Sequence, residues 1–398
     1  MNQLSSPSTQ LAASSMKGRK VLVPASVWQG FTILELLVAT TVLLVVMVIL
    51  LQLTGGLGQV WKSGSGKISA YQNARSAFAT LNRTLAQATL NTYSDYVNSS
   101  GAPRTTNNAA TFSPDKFMRA SELHFLAGPT DQLLPGASAA KNPGDAIFFQ
   151  APLGDTDANS LAPLSRAMNS TAFFIQYGAP DSDILPNWLK PTSSDVKRFR
   201  LMQVVVPTES LQIYNSTADA TYDLNWLSAF KTPRSSAQPT VRVLAEDIPL
   251  LIFRLRLSPQ DEKTSASSLG AVYSDATRGS VLSPKYHYDS RAWEPSYPNG
   301  QRVLAGAGGA ARASLMRNQV PPIADVVMIS VDRRSLSRFD QASDNPPTQL
   351  QVPAGLFTDS AKLDADLTAY GKQLSDAGIL YRVFRTSVEI QGAKWSNN

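Results

Sequence analysis

The chain contains no cysteine and only two histidines, His124 and His287. The first absence excludes disulfides, thiolate catalysis and cysteine-ligated zinc. It agrees with export without oxidative folding, but many cytosolic proteins lack cysteine too, so it does not fix a compartment. The scarcity of histidine leaves little for general acid–base work. His124 sits in Glu122-Leu123-His124-Phe125 and reads as a strand residue; His287 lies between Tyr286 and Tyr288. No Gly-x-Ser-x-Gly elbow, phosphate loop or His-Glu-x-x-His zinc helix occurs. These gaps lead to the expectation of a chain that is not an enzyme and needs no cofactor.

Charge is also missing where it matters. Between Lys20 and Lys62 the only formally charged residue is Glu35. Around it, residues 31–53 form an apolar run with no polar face. As a helix this run would extend about 35 Å, enough to cross a hydrocarbon core of about 30 Å. A buried helix of a soluble protein would show a polar side or flanks that cover it. A cleaved secretory signal has a shorter apolar region, with its cleavage site after that region. Lys17, Arg19 and Lys20 precede the run, which places the N-terminal side in the cytoplasm and sends the rest outward. The formal charge of the whole chain is +6. Half of that excess comes from these three residues, so no nucleic-acid footprint is expected.

A carboxylate in a membrane-length helix is costly, about 2.5–3.5 kcal/mol at the helix centre on insertion scales. It calls for a partner. The string Gly30-Phe31-Thr32-Ile33-Leu34-Glu35-Leu36-Leu37-Val38-Ala39 resembles the N-terminal signature of type IV prepilins and type II secretion pseudopilins. The resemblance implies cleavage by a prepilin peptidase between Gly30 and Phe31 and N-methylation of Phe31. It also implies pairing of Glu35 with the terminal amine of a neighbouring subunit. Residues 1–30 then read as the leader; Met16 is an alternative start that would shorten it.

Downstream, Thr54-Gly55-Gly56-Leu57-Gly58 and Gly64-Ser65-Gly66 predict a loosened helix, since glycine costs about 1 kcal/mol per residue relative to alanine. Tyr71, Ala74, Phe78, Leu81, Leu85 and Ala88 then alternate spacings of three and four, the stripe of an amphipathic helix. The boundaries expected are a membrane helix over 31–53, its amphipathic continuation over 54–96, and an exported β-rich domain over 97–398. Strands are expected at 122–127, 146–151, 171–177, 198–206, 241–245, 250–257, 323–332 and 381–390. Phe253, Leu255 and Leu257 alternate with Arg254 and Arg256, as in a half-buried strand. Leu363, Leu367, Tyr370 and Leu374 mark a second amphipathic helix. The expected fold class is α+β: a long N-terminal helix packed on a mostly antiparallel β-sheet, as in pilins. Ser258–Val320 and Asp340–Phe357 read as an insertion and a polar, Pro-rich loop.

Asp155-Thr156-Asp157-Ala158-Asn159 is similar to the start of a calcium loop, although Ser160 and Arg166 stand where glycine and glutamate belong. Asp155, Asp157 and Asn159 are therefore a weak calcium candidate beside the ordinary reading of a solvated turn.

Further segments resemble the J-type minor pseudopilin of type II secretion: residues 73–85, Val243-Leu244-Ala245-Glu246-Asp247-Ile248 leading into Phe253-Arg254-Leu255-Arg256, and 321–331. With the overall length and Gly144-Asp145-Ala146-Ile147-Phe148-Phe149-Gln150, the chain resembles the Verru_Chthon cassette protein C family, prepilin-like proteins. That implies a minor pilin-like subunit of the bacterial inner membrane, N-terminus cytoplasmic and C-terminal domain periplasmic, assembled into a type II secretion or type IV pilus-like filament. Its implied partners are the prepilin peptidase, other pilins and pseudopilins, and the inner-membrane assembly platform. Two alternatives compete: an adhesive subunit using Tyr286, Tyr288 and Trp293, and a membrane-anchored enzyme.

Overall fold

The computed structural model describes residues 32–100, 103–104, 108–134, 136–179, 196–213, 226–227, 230, 240–256, 286–291, 316, 318–339 and 343–393. The chain divides into two compact units, Met1–Ser63 and Gly64–Asn398.

In the first unit the described residues are Thr32 and part of helix α1, which is assigned over Ile33–Ala86. Its segment Ile33–Gln52 has a mean hydropathy of 2.9, long and apolar enough to cross a membrane, and none of it is buried. The backbone is helical through the glycines at 55–58 and 64–66, where a looser stretch was expected.

In the second unit, Ala74, Phe78, Leu81 and Leu85 of α1 and Ala88 just beyond its end are buried and Tyr71 is partly buried, which bears out the stripe; Ala77 joins it. The helix ends at Ala86, short of the expected limit at Tyr96. Three contacts stop it. The Ala88 amide turns back to Leu85 O, the Thr89 amide bonds Gln150 O at 3.0 Å, and the Ala86 carbonyl accepts from the Gln391 amide at 2.9 Å. Those bonds satisfy groups that a helix end leaves open. Tyr93–Val97 becomes strand β1, paired antiparallel with β2 (Lys116–Ala120).

The larger sheet has six strands. They are β3 (Leu126–Pro129), β4 (Asp145–Ala151), β5 (Asn169–Gly178), β6 (Arg198–Val206), β7 (Thr240–Glu246) and β9 (Tyr288–Asp289), ordered β7-β6-β5-β4-β3-β9. A second sheet of three has the order β11-β10-β8, formed by β8 (Leu250–Arg256), β10 (Ile323–Val331) and β11 (Tyr381–Glu389). All these pairings are antiparallel. The N-terminal apolar helix with mostly antiparallel sheets is the expected α+β class.

Most expected strands lie where the alternation put them, within a residue or two. One moved. Glu122–Phe125 is not strand, because the Ser121 hydroxyl bonds Leu90 O and the Leu123 amide bonds Ser121 Oγ at 3.0 Å. Side chain and backbone there outcompete ladder pairing. The strand begins only at Leu126. A second expectation fails on burial. Strand β8 is not half-buried: although it is an edge of the three-stranded sheet it packs against β4, and Arg254 is buried along with Phe253 and Leu255.

Edge strand β11 is touched on both faces although several of its residues stay exposed. Its even face meets α1, with the Phe384 and Phe78 ring centroids 5.9 Å apart and Arg382 over Tyr71. Its odd face meets the helix Leu363–Asp376, where Arg385 bonds Asp364 at 2.6 Å and Gly371 leaves room for Tyr381. The two sheets join at Asp145 and Asp247. The Asp145 carboxylate accepts the Phe253 amide at 2.9 Å. Asp247, in the left-handed region at φ 62°, turns the chain from β7 into β8, and its carbonyl accepts the Val331 amide.

Candidate functional site

The first site is the N-terminus of α1. Gly30, Phe31 and the leader residues Lys17, Arg19 and Lys20 lie outside the described residues. Thr32 and Glu35 are described, and they form a reciprocal pair. The Glu35 amide donates to Thr32 Oγ1 at 3.2 Å, while the Glu35 carboxylate accepts from the Thr32 amide at 3.4 Å and its hydroxyl at 3.3 Å. The Leu36 amide closes the first turn on Thr32 O at 3.2 Å. This is a capping box, with threonine as the N-cap and glutamate at the third helical position. A carboxylate in the first turn also meets the positive end of the helix dipole. The spacing Thr-x-x-Glu before an apolar run was readable in the sequence, and the reading of Glu35 as a bare charge in lipid missed it. Glu35 is exposed, held by the helix start and open to a further cation.

The calcium candidate has the opposite polarity to a cation site. Glu209, after β6, points its carboxylate into the loop. Its Oε1 accepts the amides of Asp157 and Ala158, each at 2.7 Å, and its Oε2 accepts the Thr156 hydroxyl at 3.1 Å. The Glu209 carboxyl is held below its usual range by its own backbone amide and by these loop donors. Converging N–H groups make a nest for an anion, and a side chain of this protein fills it. Among the described residues no cluster of three or more histidines, aspartates or glutamates is placed to hold a metal. Asp155, Asp157 and Asn159 are therefore a turn clamped by Glu209.

His124 is fully buried between two side chains that define its proton. Trp226 Nε1 lies 3.1 Å from His124 Nδ1, and His124 Nε2 lies 2.7 Å from Asp289 Oδ1. An indole nitrogen only donates, so Nδ1 is the acceptor and Nε2 carries the hydrogen towards Asp289. Burial lowers the imidazole's pKa, against the opposing pull of Asp289. The Tyr286-His287-Tyr288 segment is core, not surface. Both tyrosines are buried; Tyr288 donates to Gln319 O at 2.6 Å and meets Phe125 edge to face at 5.4 Å. Trp293 lies outside the described residues.

Sequence reasoning missed the buried ion network. Asp325 Oδ2 accepts Arg254 Nη2 at 2.7 Å and Arg256 Nε at 2.6 Å, and Oδ1 accepts the Ser387 hydroxyl at 2.6 Å. Burial alone would raise the Asp325 carboxyl, but Ser387 and Arg254 together hold it below its usual range. Arg254 and Asp325 face each other in the β8–β10 register, so the pair spans strands 71 positions apart in sequence. At the β7–β8 turn, Asp247 pairs with Arg198 at 3.3 Å and Arg333 at 3.1 Å. These charges tie strands together, and Arg198 and Asp247 also line a small cavity with Tyr177, Phe199, Leu336 and Phe339.

No family model matches this chain, and no curated protein matches it in sequence.

Proposed function

We propose that this chain is a minor pseudopilin- or pilin-like subunit, with a pilin-like arrangement of its helix and sheets. A prepilin peptidase cleaves it between Gly30 and Phe31, Phe31 is N-methylated, and the apolar half of α1 carries it from the inner membrane into a type II secretion or type IV pilus-like filament. The exported domain faces the periplasm. The observation that carries the reading is Glu35, the single charge in the apolar run, four residues after Phe31 of the Gly-Phe pair. The Thr32 capping box supports it further. It keeps the carboxylate at the helix start, next to the position where cleavage would create an ammonium, and it lowers the cost of holding a charge in lipid. A charge satisfied in this way is register-sensitive, a property that suits subunit docking.

The test is Glu35→Ala in the native host. Membrane insertion and leader removal remain, while recovery of the chain in sheared or cross-linked filament fractions is lost. Recovery equal to the wild type removes Glu35 from assembly. The adhesive alternative keeps Trp293 but loses Tyr286 and Tyr288, whose rings are buried.

A further inference from the structure

Strand β11 leaves one row of backbone groups open. On its inner side β10 pairs with it in an uninterrupted antiparallel register, from Ile323 opposite Glu389 to Val331 opposite Tyr381. Two bonds flank this ladder, Asp332 N–H on Leu380 O and Ile390 N–H on Pro322 O, and both fall on even-numbered positions of the strand. Antiparallel pairs alternate, so Arg382, Phe384, Thr386 and Val388 exchange bonds with β10, while Tyr381, Val383, Arg385, Ser387 and Glu389 turn their N–H and C=O outward. Just past the strand, the next outward amide, that of Gln391, is taken by Ala86 O. Within the strand no outward group has a partner among the described residues. Val383, Arg385, Ser387 and Glu389 are also exposed.

Folded proteins guard long edges with proline, bulges or outward charge. Strand β11 has no proline, no glycine and no register shift. Two of its three charges are drawn back over the neighbouring helices: Arg385 bonds Asp364 at 2.6 Å, and Arg382 lies over the rings of Tyr71 and Phe384. Arg382 is exposed, and no carboxylate among the described residues pairs with it. A second copy of the chain does not fit this edge. Pairing β11 with itself in an antiparallel ladder would set two copies of α1 on the same face, because α1 rests on β11 through Phe78 against Phe384 and Tyr71 under Arg382. Paired strands lie about 4.7–4.9 Å apart, whereas packed helices need about 8–10 Å. The edge therefore fits an extended segment with no helix above it. A carboxylate on that segment, on the α1 side, would meet the Arg382 guanidinium.

We propose that the outer edge of β11 docks an extended acidic segment of a partner protein, which adds a strand to the sheet β11-β10-β8 and sets a carboxylate beside Arg382. The main-chain bonds give such a contact its strength, and the side chains beside Arg382 and Val383 give it selectivity. This inference goes beyond the proposed filament role. It involves only the second compact unit and needs neither leader removal nor Glu35.

The test titrates the full-length chain in detergent with two fluorescent, strand-length peptides of alternating threonine and valine, one carrying two glutamates and the other two lysines in their place. The glutamate peptide binds more tightly, by about fivefold, the upper value for a cross-strand ion pair. It also slows amide hydrogen exchange at Val383, Arg385 and Ser387. Arg382→Glu inverts the preference between the peptides. Val383→Pro removes an outward N–H and no bond to β10, so it abolishes binding while the denaturation midpoint holds. If that midpoint falls, the wild-type chain decides with the glutamate peptide methylated on every backbone nitrogen, which keeps its side chains, cannot donate and does not bind. Equal affinity for the two peptides, unchanged exchange at the three amides, or undiminished binding of the methylated peptide overturns the proposal. So does a dimer in sedimentation whose β11 amides are protected before any peptide is added, since a second copy then occupies the edge.

Discussion

The two halves of α1 are written in the same helical backbone but for different surroundings. Residues 33–52 are apolar on every side and exposed: Leu44 keeps 64% of its surface. From Tyr71 onward the apolar residues narrow to one stripe, and Leu81 keeps none. Arg75 and Arg83 stand off that stripe. A helix hydrophobic all round needs an apolar solvent or a bundle, whereas a striped helix needs one covering face. The sheet supplies that face to the second half only. The acids follow the same division. Among the described residues Glu35 is exposed and answered by its own helix start, while Asp325 is buried and answered by two arginines and a serine.

The largest effect expected separates the two acids. Asp325→Ala strands Arg254 in the core and should cost about 3–5 kcal/mol in chemical denaturation of the full chain. Glu35→Ala should leave the same transition nearly unmoved. Next come the two leucines. Leu81→Ala opens a cavity under the sheet and should cost about 2–5 kcal/mol. Leu44→Ala should stay within about 0.5 kcal/mol, as exposed substitutions do. Equal losses for both would erase the distinction between the halves.

A third expectation concerns pH. His124 has a lowered pKa when folded, so below about 6.5 the unfolded chain binds a proton that the folded chain refuses. Its contribution is intact above that value and is lost as pH falls. Denaturation midpoints of the wild type should drop on acidification more than those of His124→Gln. Asp145 acts in the other direction. Burial raises its folded pKa well above the usual carboxylate value, so it weakens the fold as pH rises through that window. Asp145→Asn, which keeps an acceptor for the Phe253 amide, should stabilise the chain at neutral pH. The smallest effect is Thr32→Val. It removes the hydroxyl cap and should cost about 0.5–2 kcal/mol of local helix stability, visible as faster amide exchange at Leu34–Leu36 and nowhere else.

Local patterns carried the sequence reading far wherever neighbours along the chain decide structure. Arg198–Val206 and the alternation of Phe384, Thr386, Val388 and Ile390 mark strands that form as expected, and Leu363–Leu374 forms its helix. The reading failed where distant partners decide. Arg254 looked like the wet side of a strand because Asp325 is far away in sequence. Tyr93–Val97 looked helical because nothing local announces Lys116–Ala120 or the Thr89–Gln150 bridge. Tyr288, within the expected insertion, pairs with Ala127 and completes a sheet. Among the site residues, Thr32 was legible and overlooked. The Glu209 clamp was not legible, since its loop lies some fifty positions upstream.

The difference between the halves of α1 matters only if the exposed half is a processed docking segment. Intact-mass and N-terminal peptide mass spectrometry of the mature chain from its native membrane tests that most directly. The account expects a chain that begins at an N-methylated Phe31. A retained leader, or cleavage after the apolar run, would contradict it.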